Sequence, residues 1–213
     1  METPMAPEKS KVISRLLENC EITTYTTKQL IIREGDPSKD LYYIINGSVT
    51  VVIEDTKSNE IVLAYLNPGE FFGEIGMFGD ENSRTASVRA KPKSEIASIS
   101  YEKLQNLTEI FPDLIFLIAS QLAIRLRRTS RKVSDLAFTD VKGRVAKTLL
   151  DLCNNPDAIT HPDGMQISIT RQELGRIVGC SREMVGRVLK SLEEDLLISV
   201  SGKTMVIFKK REK

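Results

Sequence analysis

The 213-residue sequence predicts an α+β fold: an antiparallel β-roll or barrel, then a long helix, then a small helical module closed by a hairpin. Three observations carry this expectation. Short β-branched and aromatic runs with regular glycines fill the region from Gln29 to Ser100. A coiled-coil-type apolar seam follows it. In the last third, two helix-capping signals flank a glycine.

The roll comes first. "LYYIINGSVTVVIE" (41–54) and "EIVLAYLNPGEFFG" (60–73) are strand-like by composition, and "DTKSN" (55–59) between them is a turn cluster. "SRTASVRA" and "EIASIS" continue in short alternating runs, and Gly35, Gly47, Gly69, Gly73, Gly76 and Gly79 punctuate the region. Many short strands with glycine turns suit a closed antiparallel architecture.

Ser100 is placed to cap a short helix from Tyr101 to about Glu109, and Pro112 suits the first turn of a longer one. In that helix Ile115, Ile118, Leu122, Leu126, Thr129, Val133 and Leu136 recur at spacings of 3, 4, 4, 3, 4 and 3. From 113 to 136 it would run roughly 35 Å. Arg125, Arg127, Arg128, Arg131 and Lys132 flank the seam. A narrow seam with charged flanks fits pairing with a second copy of the chain. A helix lying on its own roll would explain the apolar first half but not the basic second half. "FTDVKGR" (138–144) breaks the seam and is a hinge candidate, "VAKTLLDLC" (145–153) is helical, "NNPDAITHPDG" (154–164) is a loop and "MQISI" (165–169) a strand.

Thr170 and Glu173 match a capping box, and the helix "RQELGRIV" they start stops at Gly179. Ser181 caps the next helix, in which Val185, Val188, Leu189 and Leu192 form the buried stripe. Arg182, Glu183, Gly186, Arg187 and Lys190 fall on the other side. Gly186 implies close packing on the first helix or close approach to a ligand, because glycine costs about 1 kcal/mol in a helix interior. "LLISVSGKTMVIF" (196–208) reads as a hairpin turning at Gly202-Lys203. Two short helices, a glycine turn and a hairpin make a winged helix-turn-helix.

Charge assigns this module a partner. Residues 1–124 hold 12 Lys/Arg against 18 Asp/Glu, whereas residues 125–213 hold 18 against 11. A basic half on a near-neutral chain points to a polyanion, and a basic second helix suits the major groove of double-stranded DNA. Arg182 and Arg187 are the expected base readers, supported by Glu183, whose carboxylate suits a cytosine amine. Thr170, Arg171, Lys190 and the wing's Lys203 are expected at phosphates.

The roll carries "FFGEIGMFGDENSRTAS" (71–87), which joins glycines, a carboxylate and an arginine on a tight turn. Converging backbone N–H groups and Arg84 suit a phosphate, with the Thr85 hydroxyl as a further donor. Glu74 suits a ribose hydroxyl. Read alone, the segment is more often a plain glycine-rich turn with a surface arginine than an anion site.

Other classes fail on residue supply. The lone histidine, His161, lies outside the roll, so neither a metal centre nor a His-based catalytic arrangement is expected, and the chain does not read as an enzyme. An iron–sulfur sensor needs about four cysteines; the chain has Cys20, Cys153 and Cys180. Met77 with Cys20 makes a poor haem pair. Widely spaced cysteines fit a reducing cytoplasm. "LIFLIASQLAI" (114–124) is too short to span a bilayer, and the N-terminus has no secretory pattern.

"FFGEIGMF", "SRTASVRA", "RLRRTSRKVSDLAF", "THPDGMQI", "ITRQELGRIVGCSRE" and "VGRVLKSLEE" together give the chain a resemblance, over nearly its full length, to the bacterial Crp/Fnr family of transcription regulators. That resemblance implies a cyclic-nucleotide-binding jelly roll in 1–112, a dimerisation helix and hinge in 113–138, and a DNA-binding domain in 139–213. It implies 3',5'-cyclic AMP as effector, held by Gly73, Glu74, Ile75, Arg84, Thr85, Arg125, Thr129 and Ser130. It implies a homodimer, a hinge at Asp140 and recruitment of RNA polymerase through the loop at His161 and Gly164. A second nucleotide site is implied at Glu60, Ala137, Phe138, Gln172 and Ser181. A regulator of the same build answering cyclic GMP, a cyclic dinucleotide or no nucleotide is the alternative. The chain departs from the family pattern at Thr85, where serine is usual, and at Met184, which replaces a usual threonine. Glu21 and Thr23 stand where the best-known member carries polymerase-contacting histidines.

Overall fold

The computed structural model describes residues 6–208 apart from 55–59, 80–82 and 155–156. The turn expected at 55–59 and the 80–82 part of the glycine-rich segment therefore lie outside the described residues. The chain divides into two compact units, Met1–Thr129 and Ser130–Lys213.

The first unit opens with α1 (Ala6–Leu17), which the sequence reading missed, and with β1 (Glu21–Tyr25), earlier than the expected start of the roll. There follow β2 (Leu30–Ile32), β3 (Asp40–Asn46), β4 (Val49–Glu54), β5 (Glu60–Leu66), β6 (Phe71–Phe72), the single turn α2 (Ile75–Phe78), β7 (Ser87–Ala90), β8 (Ser94–Ser100), α3 (Tyr101–Ile110) and α4 (Asp113–Phe138). Two antiparallel four-stranded sheets, ordered β1-β8-β3-β6 and β2-β7-β4-β5, make the roll. Ser100 caps α3 as expected, its hydroxyl accepting from the Lys103 N–H.

In the first sheet, strands β3, β6 and β8 contribute buried residues to both faces. Ile44, Phe72 and Ile96 pack with Ile32, Val49, Leu66 and Val88 between the sheets. Leu41, Phe71 and Ile99 pack outward with Leu16 of α1, Leu104 of α3 and Leu114, Leu117 and Ile118 of α4. Strand side chains alternate, so the neighbours Phe71 and Phe72 serve the two cores separately.

This packing corrects the seam. Ile118 is fully buried in its own unit and Leu122 is half-buried against the same cluster. The exposed apolar face of α4 in this unit runs instead through Phe116, Ala119, Ala123 and Leu126, with Leu126 68% exposed. Leu114, Leu117 and Ile118 turn the first half of the helix toward its own roll, so the exposed apolar face is rotated from the expected seam.

The second unit contains α5 (Val141–Cys153), β9 (Ile159–His161), β10 (Gly164–Ser168), α6 (Arg171–Val178), α7 (Arg182–Glu194), β11 (Ile198–Ser201) and β12 (Thr204–Phe208). Its sheet runs β11-β12-β10-β9, so the wing hairpin is half of a four-stranded sheet. Val145, Leu149, Leu174, Val185, Leu189, Leu192 and Met205 centre its core. Two expectations are corrected here. The break between α4 and α5 is Thr139–Asp140 rather than 138–144, because the Asp140 carboxylate caps α5, accepting from Gly143 N–H at 2.8 Å. The stretch 154–164 is not all loop: Ile159–His161 pairs with Gly164–Gln166.

Candidate functional site

Strand β6 ends in a tight turn. Gly73 adopts φ +79°, a conformation glycine takes without a Cβ penalty, and Glu74 holds the N-cap position of the one-turn α2 without a side-chain capping bond. Gly73 and Glu74 thus follow directly on the edge strand of the roll, with the Glu74 side chain buried. Arg84 enters from the chain just before β7. Its backbone exchanges hydrogen bonds with the segment before β3, Arg84 N–H to Asp36 O and Gly35 N–H to Arg84 O, each 2.8 Å.

Arg84 is 7% exposed. Its guanidinium donates to Gly73 O at 3.0 Å, to the Tyr101 hydroxyl at 3.1 Å and to Asp40 O at 2.9 Å. It also lies over the Tyr42 ring, 5.5 Å from the centroid. All these partners are neutral, and among the described residues no carboxylate pairs with it. Arginine has five N–H donors, so two stay available beyond the three used. A buried cation without a counter-charge is costly, and an anion is the ligand that would neutralise it. Burial raises the Tyr42 phenol, and Arg84 pulls the other way. Tyr101 also donates to Gly73 O and shares a 2.8 Å hydrogen bond with Ser38.

Glu74 is 4% exposed and is already engaged: Arg125 of α4 donates to its carboxylate at 2.7 Å. A sugar hydroxyl donating to Glu74 would share the carboxylate with Arg125 or displace it. Arg125 also donates to Phe71 O, and its Nε–H is buried without an acceptor.

The structure therefore brings together Gly73, Glu74, Arg84 and Arg125. It leaves Thr85 and Ile75 exposed, and places Thr129 and Ser130 on exposed positions of α4. Of the second expected set, Glu60 begins β5 in the first unit, while Ala137 and Phe138 end α4, Gln172 lies in α6 and Ser181 caps α7 in the second. Sequence reasoning missed Tyr101, Tyr42 and the Asp40 carbonyl. Only the β3–β8 pairing carries Asp40 to Ser100, one residue before Tyr101, and no local motif signals it.

In the second unit the two capping signals hold. The Thr170 hydroxyl accepts from Glu173 N–H at 3.1 Å and the Ser181 hydroxyl from Met184 N–H at 3.2 Å. Thr170 keeps its own O–H to donate. Gly179 ends α6 in the left-handed conformation at φ +75°. Arg171, Arg182, Glu183, Arg187, Lys190 and the wing's Lys203 are all exposed. Lys190 makes only a long surface pair with Glu194, 3.8 Å. The Glu183 carboxyl is held below its usual range by its own backbone N–H, then by the Ser181 hydroxyl. It is thus an ionised acceptor at neutral pH. His161 faces Asp163 across the β9–β10 turn and Gly164 begins β10.

At Gly186 one of the two expected reasons falls away: a Cβ there would meet nothing within 4 Å, so packing on α6 does not require it. The close approach belongs to Gly175, whose added Cβ would stand 2.7 Å from Cys180 O. Among the described residues no group of His, Cys, Asp and Glu could hold a metal ion, and no single helix is long and apolar enough to cross a membrane.

A β-roll with a buried arginine that meets no carboxylate among the described residues, carried on one chain with a basic winged helix-turn-helix, defines an effector-binding transcription regulator. Residues 22–110 match the cyclic nucleotide-binding domain family and residues 143–213 the Crp-like helix-turn-helix domain. The chain is 58% identical to the cAMP-activated global transcriptional regulator Vfr of Pseudomonas aeruginosa, over 94% of this chain and 95% of that one. It is 51% identical to the cAMP-activated global transcriptional regulator CRP of Salmonella typhimurium, over 95% and 96%. Among solved structures, the c-di-GMP responsive global regulator CLP of Xanthomonas campestris aligns with a TM-score of 0.89 at 43% identity, covering 94% of this chain and all of that one. The chain belongs to the Crp/Fnr family of bacterial transcription regulators, and its relatives are regulators rather than enzymes.

Proposed function

We propose that the chain is a cyclic-AMP-gated transcription regulator working as a homodimer in the cytoplasm, with Arg84 as its phosphate receptor. The observation that carries this is the buried Arg84 guanidinium, whose partners among the described residues are neutral oxygens. A cyclic nucleotide supplies one phosphate anion and one free ribose hydroxyl. Arg84 offers two further N–H donors to the phosphate, the backbone at Gly73 leaves the approach clear, and Glu74 accepts from the hydroxyl. Sharing Glu74 loosens its pair with Arg125, so effector occupancy is read directly by α4. Thr85 and Ile75 line the rim, and Thr129 and Ser130 face the site from α4, the partner's copy included.

The apolar face of α4 through Phe116 and Leu126 supports pairing with a second copy. In that dimer 1–112 senses, 113–138 joins and transmits, and 139–213 binds DNA. Asp140 is the pivot. Thr170, Arg171, Lys190 and Lys203 position phosphates, and Arg182, Arg187 and Glu183 read bases on a twofold-symmetric operator. The turn at His161 and Gly164 contacts RNA polymerase.

A cyclic dinucleotide is the second reading, favoured by the likeness to CLP, a c-di-GMP responsive regulator. A single buried guanidinium suits one phosphate better than two. Isothermal titration of the purified chain with cyclic AMP, cyclic GMP and c-di-GMP decides. Heat with cyclic AMP, together with a cyclic-AMP-dependent gel shift, is expected; no heat with cyclic AMP sinks this reading.

A further inference from the structure

Strand β6 is the open edge of its sheet, last in the order β1-β8-β3-β6. The backbone of Phe71 on that edge is buried, and buried N–H and C=O groups need partners. Helix α4 supplies them in place of a strand. Gln121 Oε1 accepts from Phe71 N–H at 2.9 Å, and Gln121 Nε2 donates to Gly69 O at 2.9 Å. Arg125, one turn further along, donates to Phe71 O. Residues i and i+4 of one helix thus hold both backbone groups of one residue, two positions before Gly73.

The two holders differ in what an effector does to them. Arg125 also serves Glu74 and has an unpartnered buried Nε–H; it is poised to change partners. Gln121 is neutral, bonded to backbone only, and touches no group assigned to the effector. We propose that Gln121 is a positioning residue: the fixed point holding α4 to the cradle strand, so that release of Arg125 from Glu74 becomes a movement of the helix beyond Gln121 instead of a loosening of its attachment. This rests on the effector reading above and adds to it which residue makes occupancy count.

The test separates effector binding from its consequence. Gln121→Leu removes both hydrogen bonds at similar volume, and Gln121→Glu keeps the acceptor toward Phe71 but loses the donor toward Gly69. Cyclic-AMP affinity is measured by titration, and operator affinity by fluorescence anisotropy with and without cyclic AMP. Gln121→Leu is expected to bind cyclic AMP within about threefold of wild type while its cyclic-AMP-dependent gain in operator affinity falls about tenfold, within the range of ordinary allosteric coupling. Gln121→Glu is expected to recover part of the gain. An undiminished gain in Gln121→Leu overturns the proposal. So does a loss of cyclic-AMP affinity in parallel with the gain, which is what general structural damage would give. If Gln121→Leu does not fold, Gln121→Glu decides by the same two readouts: a reduced gain at near-normal cyclic-AMP affinity supports the proposal, and anything else overturns it. A wild-type chain without response to cyclic AMP overturns the effector reading and this proposal together; a responsive wild type with an equally responsive Gln121→Leu overturns this one alone.

Discussion

Arg84 and Gly73 are fitted to one another: the guanidinium donates to the Gly73 carbonyl at 3.0 Å, and a methyl group on Gly73 would stand 2.8 Å from the same nitrogen. With φ at +79° an alanine there is strained as well as crowded. Gly73→Ala should therefore push Arg84 out of place and weaken cyclic-AMP binding by at least about tenfold, or 1.4 kcal/mol. Arg84→Leu should abolish measurable binding. The fold should survive, because Tyr101 still donates to Gly73 O, with a loss of about 1–2 kcal/mol from the acceptors left behind. Titration calorimetry and a thermal melt check both. Unchanged cyclic-AMP affinity in Arg84→Leu would remove the phosphate role.

Arg187 and Lys190 share the exposed face of α7 but should fail differently. Arg187 carries a fork suited to guanine O6 and N7, so Arg187→Ala should cost about 1–3 kcal/mol on the operator and flatten base preference at one position. Lys190→Ala should weaken binding evenly across sequences and lower the salt slope by about 1. Anisotropy on operator and scrambled duplexes at several salt concentrations separates them. An even loss for Arg187→Ala would make it a phosphate contact.

The DNA-binding unit was legible because its signals are local. Thr170, Gly179 and Ser181 each act within four residues of themselves, and α6 spans Arg171–Val178 as read from capping alone. The cradle was legible only in part. Gly73, Glu74 and Arg84 share one segment, whereas Tyr101 and Gln121 reach it through tertiary pairing across 28 and 50 residues. The pairing of Glu74 with Arg125 was likewise invisible, since nothing in either neighbourhood encodes a contact 51 residues away. The rotation of the α4 face has the same origin: apolar period identifies a helix side but not which of two cores claims it. α1 escaped because its apolar positions are few and it is stabilised by Leu16 packing against the roll.

Gly175 and Gly186, one in each helix of the pair, should respond to alanine with opposite signs. In Gly175→Ala the new Cβ meets the Cys180 carbonyl at 2.7 Å. Backbone must move, and a loss of about 1–3 kcal/mol is expected. In Gly186→Ala the Cβ meets nothing, so helix propensity alone should add about 0.5–1 kcal/mol. Chemical denaturation of the two variants measures this. The reason for a glycine at 186 then has to lie outside the chain. Gly186→Ala should bind its operator more weakly despite melting higher, the signature of a duplex backbone or base edge passing close to that position. Equal operator affinity would leave Gly186 without an explanation.

Cys20 gives a pH test of the first unit. It packs against the cluster of Leu16, Leu41 and Leu104, and burial pushes its thiol up from 9.0 to about 11. The charged thiolate is the disfavoured form, so the folded state favours the protonated thiol. That preference stabilises the fold fully below pH 9.0 and is lost as pH rises through about 11. Two consequences are measurable. Alkylation of Cys20 by iodoacetamide at neutral pH, followed by peptide mass, should be about a hundredfold slower than for a free thiol of ordinary pKa, and should climb with pH toward 11. The melting temperature of the first unit should also fall across the 9–11 window more steeply than that of Cys20→Ala, which has no proton there to lose. Cys20 alkylating at the rate of a solvent thiol at pH 7.5, with no difference between the two melting profiles, would show that α1 does not seal the roll as the packing of Leu16 requires.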